Sequence, residues 1–161
     1  MQIRKATTED LPIIMEIFKN AKLFMKKNGN SFQWDRGYPS IDIIKKDINE
    51  SNSYVCLDNK TIVATFCYKF GDDTTYHIIE EGKWLNDEPY GVIHRIASKD
   101  TAKGVGTYCI SYCLARCNNI RIDTHTDNIP MRNLLLKLKF FQCGIIYTLK
   151  GDKRIAYQRV D

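Results

Sequence analysis

The chain has 161 residues, a length that fits one domain (residues 1–161) with a single substantial core, since domains cluster at roughly 100–150 residues. With 43% apolar and 27% charged residues it reads as soluble and globular; no apolar run approaches the ~18 residues a membrane helix needs, and the opening MQIRKATTED lacks a secretory h-region, so a cytoplasmic protein without a membrane partner is expected. The formal charge of +5 is mild and the basic residues are spread among acids, which argues against a nucleic-acid partner; the densest cluster, LKGDKRIAYQR, is interrupted by Asp152 and reads as a solvated hairpin.

In chain order, Gln2 to Ala6 can be a short strand. Thr7 or Thr8 with Asp10 then offers a cap before Leu11, Ile14, Phe18, Ala21 and Met25, whose 3-4-3-4 spacing predicts an amphipathic helix. Pro39 and Ser40 introduce a shorter helix carrying Ile41, Ile44 and Ile48. SYVCL and TIVATFCYKF are β-rich runs at hairpin spacing. A strand from about Gly91 to Ala97 leads through a glycine loop into a helix, Gly104 to Arg116, that is apolar on nearly every side and is expected to be buried. Ile120 to Thr124 is a strand, Asn128 and Pro130 open a helix carrying Met131, Leu134, Leu135 and Leu138, and two last strands flank the turn at Lys150, Gly151 and Asp152. The predicted order is βααβββαβαββ, with no repeat, low-complexity tract or linker.

The six cysteines lie mostly within these apolar elements and read as reduced core thiols. Cys109, Cys113 and Cys117 share a helical face, but no second Cys or His pair accompanies them, so packing explains them better than a metal site, and no metal is expected.

The stretch SKDTAKGVGTY joins a strand to a buried helix within a βαβ unit, the arrangement that aims free backbone N–H groups at a phosphate. A P-loop is excluded, because no Lys-Ser or Lys-Thr follows the glycines. The dinucleotide fingerprint matches at Gly104 and Gly106 but has Cys109 at its third glycine, and Asp123, about 20 residues on, is the one point in its favour.

These residues resemble the GNAT superfamily of N-acetyltransferases, and the resemblance covers essentially the whole chain. The superfamily's Q/R-x-x-G-x-G/A at a helix start falls on Thr101-Ala102-Lys103-Gly104-Val105-Gly106, with Thr in place of the leading Gln or Arg. Asn128-Ile129-Pro130-Met131, Leu134-Leu135 and Lys139-Phe140 are similar to its N-x-x-A-x-x-L-Y-x-x-x-G-F signature, with Leu135 for the usual Tyr and Lys139 for the usual Gly. The resemblance implies a mixed, mostly antiparallel α/β sheet flanked by helices, and acetyl-CoA as cofactor. It implies that backbone N–H groups of Lys103, Gly104, Val105, Gly106 and Thr107 hold the pyrophosphate, that the backbone of Ile96, Ala97 and Ser98 pairs with the pantetheine arm, and that Asn128, Met131 and Leu135 border the cofactor. It also leaves room for a homodimer.

Acetyl transfer from a thioester to an amine by direct attack needs a neutral amine, and alkyl amines are mostly protonated at pH 7, so a nearby base is useful. His94, in the strand beside the cofactor arm, is the candidate, and it falls where the arylalkylamine branch of the superfamily carries a histidine base. Strand alternation puts His94 on one face with Ile96 and Ser98, and Ile93 and Arg95 on the other. The competing reading is a histidine hydrogen-bonded within a packed sheet. Leu135 cannot serve as the acid; Tyr108, Tyr112 and Tyr147 are loose candidates, or a thiol of pKa ~8.5 leaves unaided. A catalytically inactive acetyl-CoA-binding module is the alternative function.

The acceptor, a primary amine of a small molecule or peptide, is expected to meet the aromatic loops. NGNSFQWDRGYPS supplies Phe32, Trp34 and Tyr38 with Asp35, and EEGKWLNDEPYG supplies Glu80, Glu81, Trp84 and Tyr90. Trp34 and Trp84 would otherwise cover the core edge. His125, at a polar strand end, is the second-choice base.

Overall fold

A computed structural model describes residues 1–100 and 102–161. The elements run in the expected order: strand β1 (Gln2–Lys5), helices α1 (Leu11–Lys27) and α2 (Ile41–Asn49), strands β2 (Ser53–Asp58), β3 (Thr61–Phe70) and β4 (Gly91–Ser98), helix α3 (Val105–Leu114), strand β5 (Asn119–Thr124), helix α4 (Ile129–Lys137), and strands β6 (Phe141–Tyr147) and β7 (Lys153–Val160). Single 3₁₀ turns occupy Thr8–Asp10 and Thr74–Tyr76. The strands form one mixed sheet in the order β1-β2-β3-β4-β5-β7-β6, parallel only between β4 and β5.

Local chemistry fixes the element boundaries. The Thr7 N–H donates to Asp10 Oδ2 at 2.8 Å and the Asp10 N–H donates back to the Thr7 carbonyl at 3.0 Å, which starts the first helix. Arg4 clamps the same Asp10 carboxylate through two bonds of 2.7 and 2.9 Å, tying β1 to that start. The Ser40 hydroxyl accepts from the Ile43 N–H and caps α2. Asn128 caps α4 by accepting from the Met131 N–H at 3.2 Å. At the other end of α4, Lys139 adopts φ 60°, the left-handed conformation for which glycine is the usual residue.

Two cores sandwich the sheet. Val105, Cys109, Ile110 and Cys113 of α3 and Leu135 of α4 pack with Phe66, Ile93, Ile122 and Tyr157 of the strands. Ile14, Ile17 and Phe18 of α1 and Ile44 and Ile48 of α2 pack with Val55 and Ile62. Cys109 and Cys113 are fully buried, and burial pushes both thiols up. The sequence suggested a helix covered all round, but Tyr108 and Ser111 of α3 reach the surface, and the Tyr108 hydroxyl donates to the Met1 carbonyl. Among the described residues no helix is long and apolar enough to cross a membrane.

Two irregularities in β4 shape the functional region. Its pairing with β3 passes from Cys67↔His94 to Thr65↔Ala97, so two steps of β3 face three of β4. The extra residue is absorbed at Arg95, which takes φ 51°. Simple alternation therefore fails at this point. Arg95 turns toward α2 and meets Asp47, while Ile96 packs with Ile93 in the α3 core. The second irregularity is the pairing with β5, which extends only over Gly91↔Ile120 and Val92↔Arg121. Beyond Val92 the two parallel strands part, and their carboxyl ends open a cleft, the place where α/β sheets bind ligands.

Candidate active site

Two cavities meet in this cleft. The larger, about 600 Å³, is lined by Trp34, Tyr38, Asp73, His94, Arg95 and Asp123 among others. The smaller, about 340 Å³, is lined by Ile96, Ala97, Ser98, Ala102, Gly106 and Leu134 among others. Met25, Ile96, Asn128 and Met131 border both, so the cavities are continuous around the bulged end of β4.

His94 sits in the larger cavity between two carboxylates. Its Nε2 lies 2.8 Å from Asp73 Oδ2, and its Nδ1 lies 3.8 Å from Asp123 Oδ2. Asp73 also accepts from the Thr75 N–H at 3.0 Å and the Thr75 hydroxyl at 2.6 Å, and pairs with the Lys69 ammonium at 3.1 Å. Burial alone would raise the Asp73 carboxyl, but the hydrogen bonds from His94 and Thr75, with the facing charges, hold it far below the usual carboxylate range. An ionised carboxylate only accepts, so neutral His94 carries its proton on Nε2 and leaves the Nδ1 lone pair free. On that side the Tyr76 hydroxyl donates to Asp123 Oδ2 at 2.7 Å; burial first, and then the Asp123 charge, pushes the Tyr76 phenol well up, so it stays a donor.

Arg95 forms the wall toward α2. Its guanidinium donates to both Asp47 oxygens at 2.8 Å and to the Tyr38 hydroxyl at 2.9 Å. Burial works against the Arg95 charge, yet the Tyr38, Cys67 and Asp47 groups around it raise its pKa further. Gln33 anchors the loop that carries Trp34 and Tyr38. Its Oε1 accepts from Asn30, Asn128 and Thr124 at 2.9, 2.8 and 3.4 Å, and its carbonyl accepts from Arg154 at 2.8 Å.

The smaller cavity runs along the unpaired stretch of β4 to the start of α3. There Gly104 takes φ 76°, and a Cβ built on it would meet none of the described residues within 4 Å, which leaves the backbone open toward them. A Cβ on Gly106 would lie 3.0 Å from Leu134 Cδ2; this glycine lets α3 approach α4. The first-turn N–H groups of α3 precede its first helical bond, from the Tyr108 N–H to the Gly104 carbonyl. An extended ligand with amides along β4 and a phosphate at this helix start fits the region. Thr101 lies outside the described residues.

The fold has solved relatives. An acetyltransferase of the GNAT family from Streptococcus agalactiae is 30% identical, with 99% of this chain and 95% of that one aligned at a TM-score of 0.91. The chain belongs to the GNAT family of acetyltransferases. A GNAT-family acetyltransferase from Listeria monocytogenes shares the fold at 15% identity, over 99% of this chain and 94% of that one, with a TM-score of 0.73. A chain of the NatC complex bound to Gag peptide and CoA does so at 16% identity, over 100% and 99% of the two chains, with a TM-score of 0.66. No protein-family model and no curated protein matches the sequence.

Within this GNAT fold the sequence-derived residues divide. His94, Trp34 and Tyr38 line the larger cavity, Ala97, Ser98 and Gly106 the smaller, and Ile96, Asn128 and Met131 both. Lys103, Gly104, Val105 and Thr107 surround the start of α3. Leu135, by contrast, is fully buried in the α3 core, and its neighbour Leu134 is the leucine at the smaller cavity. Phe32 is exposed and borders neither cavity. Glu80 is drawn away by backbone pairing with Ile145 at 2.8 Å in both directions. Trp84 lies behind the site, its indole N–H donating to the Tyr76 carbonyl at 2.9 Å and its ring under the Arg121 guanidinium. His125 lines neither cavity; its Nδ1 accepts from the Asp127 N–H, and burial, reinforced by Arg154, lowers its pKa. Tyr108, Tyr112 and Tyr147 also border neither.

Sequence reasoning passed over Asp73, Tyr76, Asp47 and Gln33 as site residues. Asp73-Thr74-Thr75 carried one usable signal: an Asp two residues before a Thr is a helix-capping pattern, and here it caps the 3₁₀ turn. Nothing local marked it as a partner of His94, which is 21 positions away.

Proposed function

We propose that the protein is an N-acetyltransferase that binds acetyl-CoA along β4 and the start of α3, and a primary amine of a small molecule or peptide in the larger cavity. The observation that carries this reading is the placement of His94: its free Nδ1 opens into the larger cavity, while the backbone a few residues further along the same strand borders the smaller one. The CoA and peptide of the NatC complex are supporting precedents on the same fold.

Acetyl-CoA supplies an acetyl carbon activated by a thiolate leaving group. The residues of this chain supply the rest. Backbone groups of Ile96, Ala97 and Ser98, unpaired on the β5 side, hold the pantetheine arm, and the N–H groups from Lys103 to Thr107 hold the pyrophosphate. Asn128 and Met131 stand where the two cavities join. Trp34 and Tyr38 flank the acceptor. His94 takes one proton from the substrate ammonium at Nδ1 and so frees the nitrogen pair; acetyl-CoA, when bound, would supply the acetyl group for the C–N bond and a thiolate that leaves with the second nitrogen proton. The imidazolium then returns its proton to water. No tyrosine need protonate the sulfur, because a thiol of pKa ~8.5 departs readily.

Calorimetric titration with acetyl-CoA, CoA and NAD, followed by thiol release across a panel of primary amines, tests the reading. Binding of the two CoA species but not NAD, with amine-dependent thiol release, is the expected result. Acetyl-CoA binding without release for any amine would leave the inactive module instead.

A further inference from the structure

We infer that Asp123 is the recognition group for the acceptor's ammonium, which it receives together with His94 Nδ1. The inference rests on the acceptor cavity assigned above. Seven carboxylates line that cavity: Asp35, Asp47, Glu50, Asp72, Asp73, Asp123 and Asp152. Five face a Lys or Arg, and the sixth, Asp72, has the His77 imidazole. Asp35 and Asp152 hold Arg36, Asp47 holds Arg95, Glu50 meets Lys46, Asp72 meets His77, and Asp73 holds Lys69 and His94. Among the described residues Asp123 has no Lys or Arg partner, and the His94 Nδ1 lone pair, 3.8 Å away, is beyond hydrogen-bond reach.

Asp123 is also well shielded, with a side chain 14% exposed against 64% for Asp72 and 50% for Glu50. A shielded carboxylate without a counter-ion is costly, and a cation that fills the gap recovers that cost. The gap has the right size. A nitrogen about 2.8 Å from both Asp123 Oδ2 and His94 Nδ1 would see them about 85° apart, within reach of two N–H bonds of one ammonium. Tyr76 donates to Asp123 Oδ2 and holds the carboxylate in place, and Asp73 keeps the proton off Nδ1. Trp34 and Tyr38 supply apolar walls for the carbon chain that carries the charge. The same arrangement delivers the ammonium directly to the base, so recognition and deprotonation share one nitrogen.

The test separates charge recognition from turnover. Phenylethylammonium and its neutral counterpart 2-phenylethanol are titrated calorimetrically into the wild-type protein and Asp123→Asn, whose amide oxygen still accepts from Tyr76. A bond to a charged group is worth enough for the cation to bind about 10–100-fold tighter than the alcohol in the wild type, a preference that disappears in Asp123→Asn. Equal binding of cation and alcohol, no binding of the cation at millimolar concentration, or an undiminished preference in the variant overturns the inference. Thiol release without charge preference sinks this inference alone; charge preference without acetyl-CoA binding sinks the acetyltransferase reading and leaves the ammonium site standing.

Discussion

Asp73→Asn isolates the part of the catalytic proposal that depends on histidine tautomer. The Asn amide oxygen can still accept from the Thr75 N–H and hydroxyl, so the loop keeps its cap. The amide nitrogen, however, replaces the oxygen 2.8 Å from His94 Nε2, and an NH₂ group donates where the carboxylate accepted. Neutral His94 then moves its proton to Nδ1 to accept at Nε2, and the lone pair that faces Asp123 is lost. General-base contributions are worth ~10²–10⁴-fold, so kcat/KM should fall by at least about 10²-fold. Stability should change less: losing one charge-assisted bond costs about 1.5–3 kcal/mol, and the retained Thr75 bonds favour the low end. For a chain of this size that corresponds to a Tm lower by about 3–6 °C. The assay pairs thiol-release kinetics with ¹⁵N spectra of the imidazole, which report the protonated nitrogen directly, and acetyl-CoA affinity serves as the unchanged control. Wild-type rate in a folded variant would refute the positioning role. So would a rate loss accompanied by an imidazole still protonated at Nε2, since the effect would then come from something other than the tautomer.

Gly104→Glu should weaken acetyl-CoA binding at least about tenfold in calorimetry through charge repulsion at the phosphate site, whereas Gly104→Asn, which tolerates the left-handed φ of 76°, should bind nearly normally; equal affinities would remove the phosphate from this helix start. Asp47→Ala strands the shielded Arg95 charge and should cost about 3–5 kcal/mol in urea unfolding, with Asp47→Ala/Arg95→Met recovering most of it; an additive double variant would mean that the pair is uncoupled. Hydrogen bonds from Arg4, outweighing burial, hold Asp10 below its ordinary value of 3.8, so its stabilisation is complete above that pH and is lost as pH falls through the lower folded-state value. The stability gap between the wild type and Asp10→Asn, measured by denaturation from pH 6 downward, should therefore narrow only below about pH 4; a constant gap would mean that the carboxylate charge contributes nothing.

The order of elements could be read from the sequence because each signal was local. The 3-4-3-4 spacing of α1, the Ser40 and Asn128 caps, and the glycine-marked start of α3 all act within a few residues. The faces of β4 could not, because the bulge at Arg95 depends on register with β3, about thirty positions earlier, and no residue in GVIHRIAS announces it. The site follows the same division. His94 and Trp34 could be singled out as a candidate base and a candidate aromatic wall, and both line the larger cavity. Trp84 has the same composition around it but is claimed by Tyr76 and Arg121, and Glu80 by the edge of β6, contacts that only the folded sheet creates. Leu135 divides in another way: the resemblance implied a place beside the cofactor, and the folded chain buries its side chain in the α3 core. Lys139, the other departure from the signature, keeps the backbone conformation of the glycine it stands for.

The Gln33 carboxamide imposes a rule on how this scaffold can change its substrate. One oxygen collects donors from its own loop, from the end of β5 and from the cap of α4, and the neighbouring carbonyl collects Arg154 from β7. The segment bearing Trp34 and Tyr38 is thus fastened at Gln33 to β5, α4 and β7 together, while Arg36 adds a pair with Asp152 and Tyr38 accepts from Arg95. New acceptor preferences can be written at Trp34 with less disturbance to the closure than at Tyr38, whose hydroxyl accepts from Arg95, provided residue 33 stays an acceptor of three hydrogen bonds. A loop transplanted from a relative without that acceptor would bring its side chains but not its position.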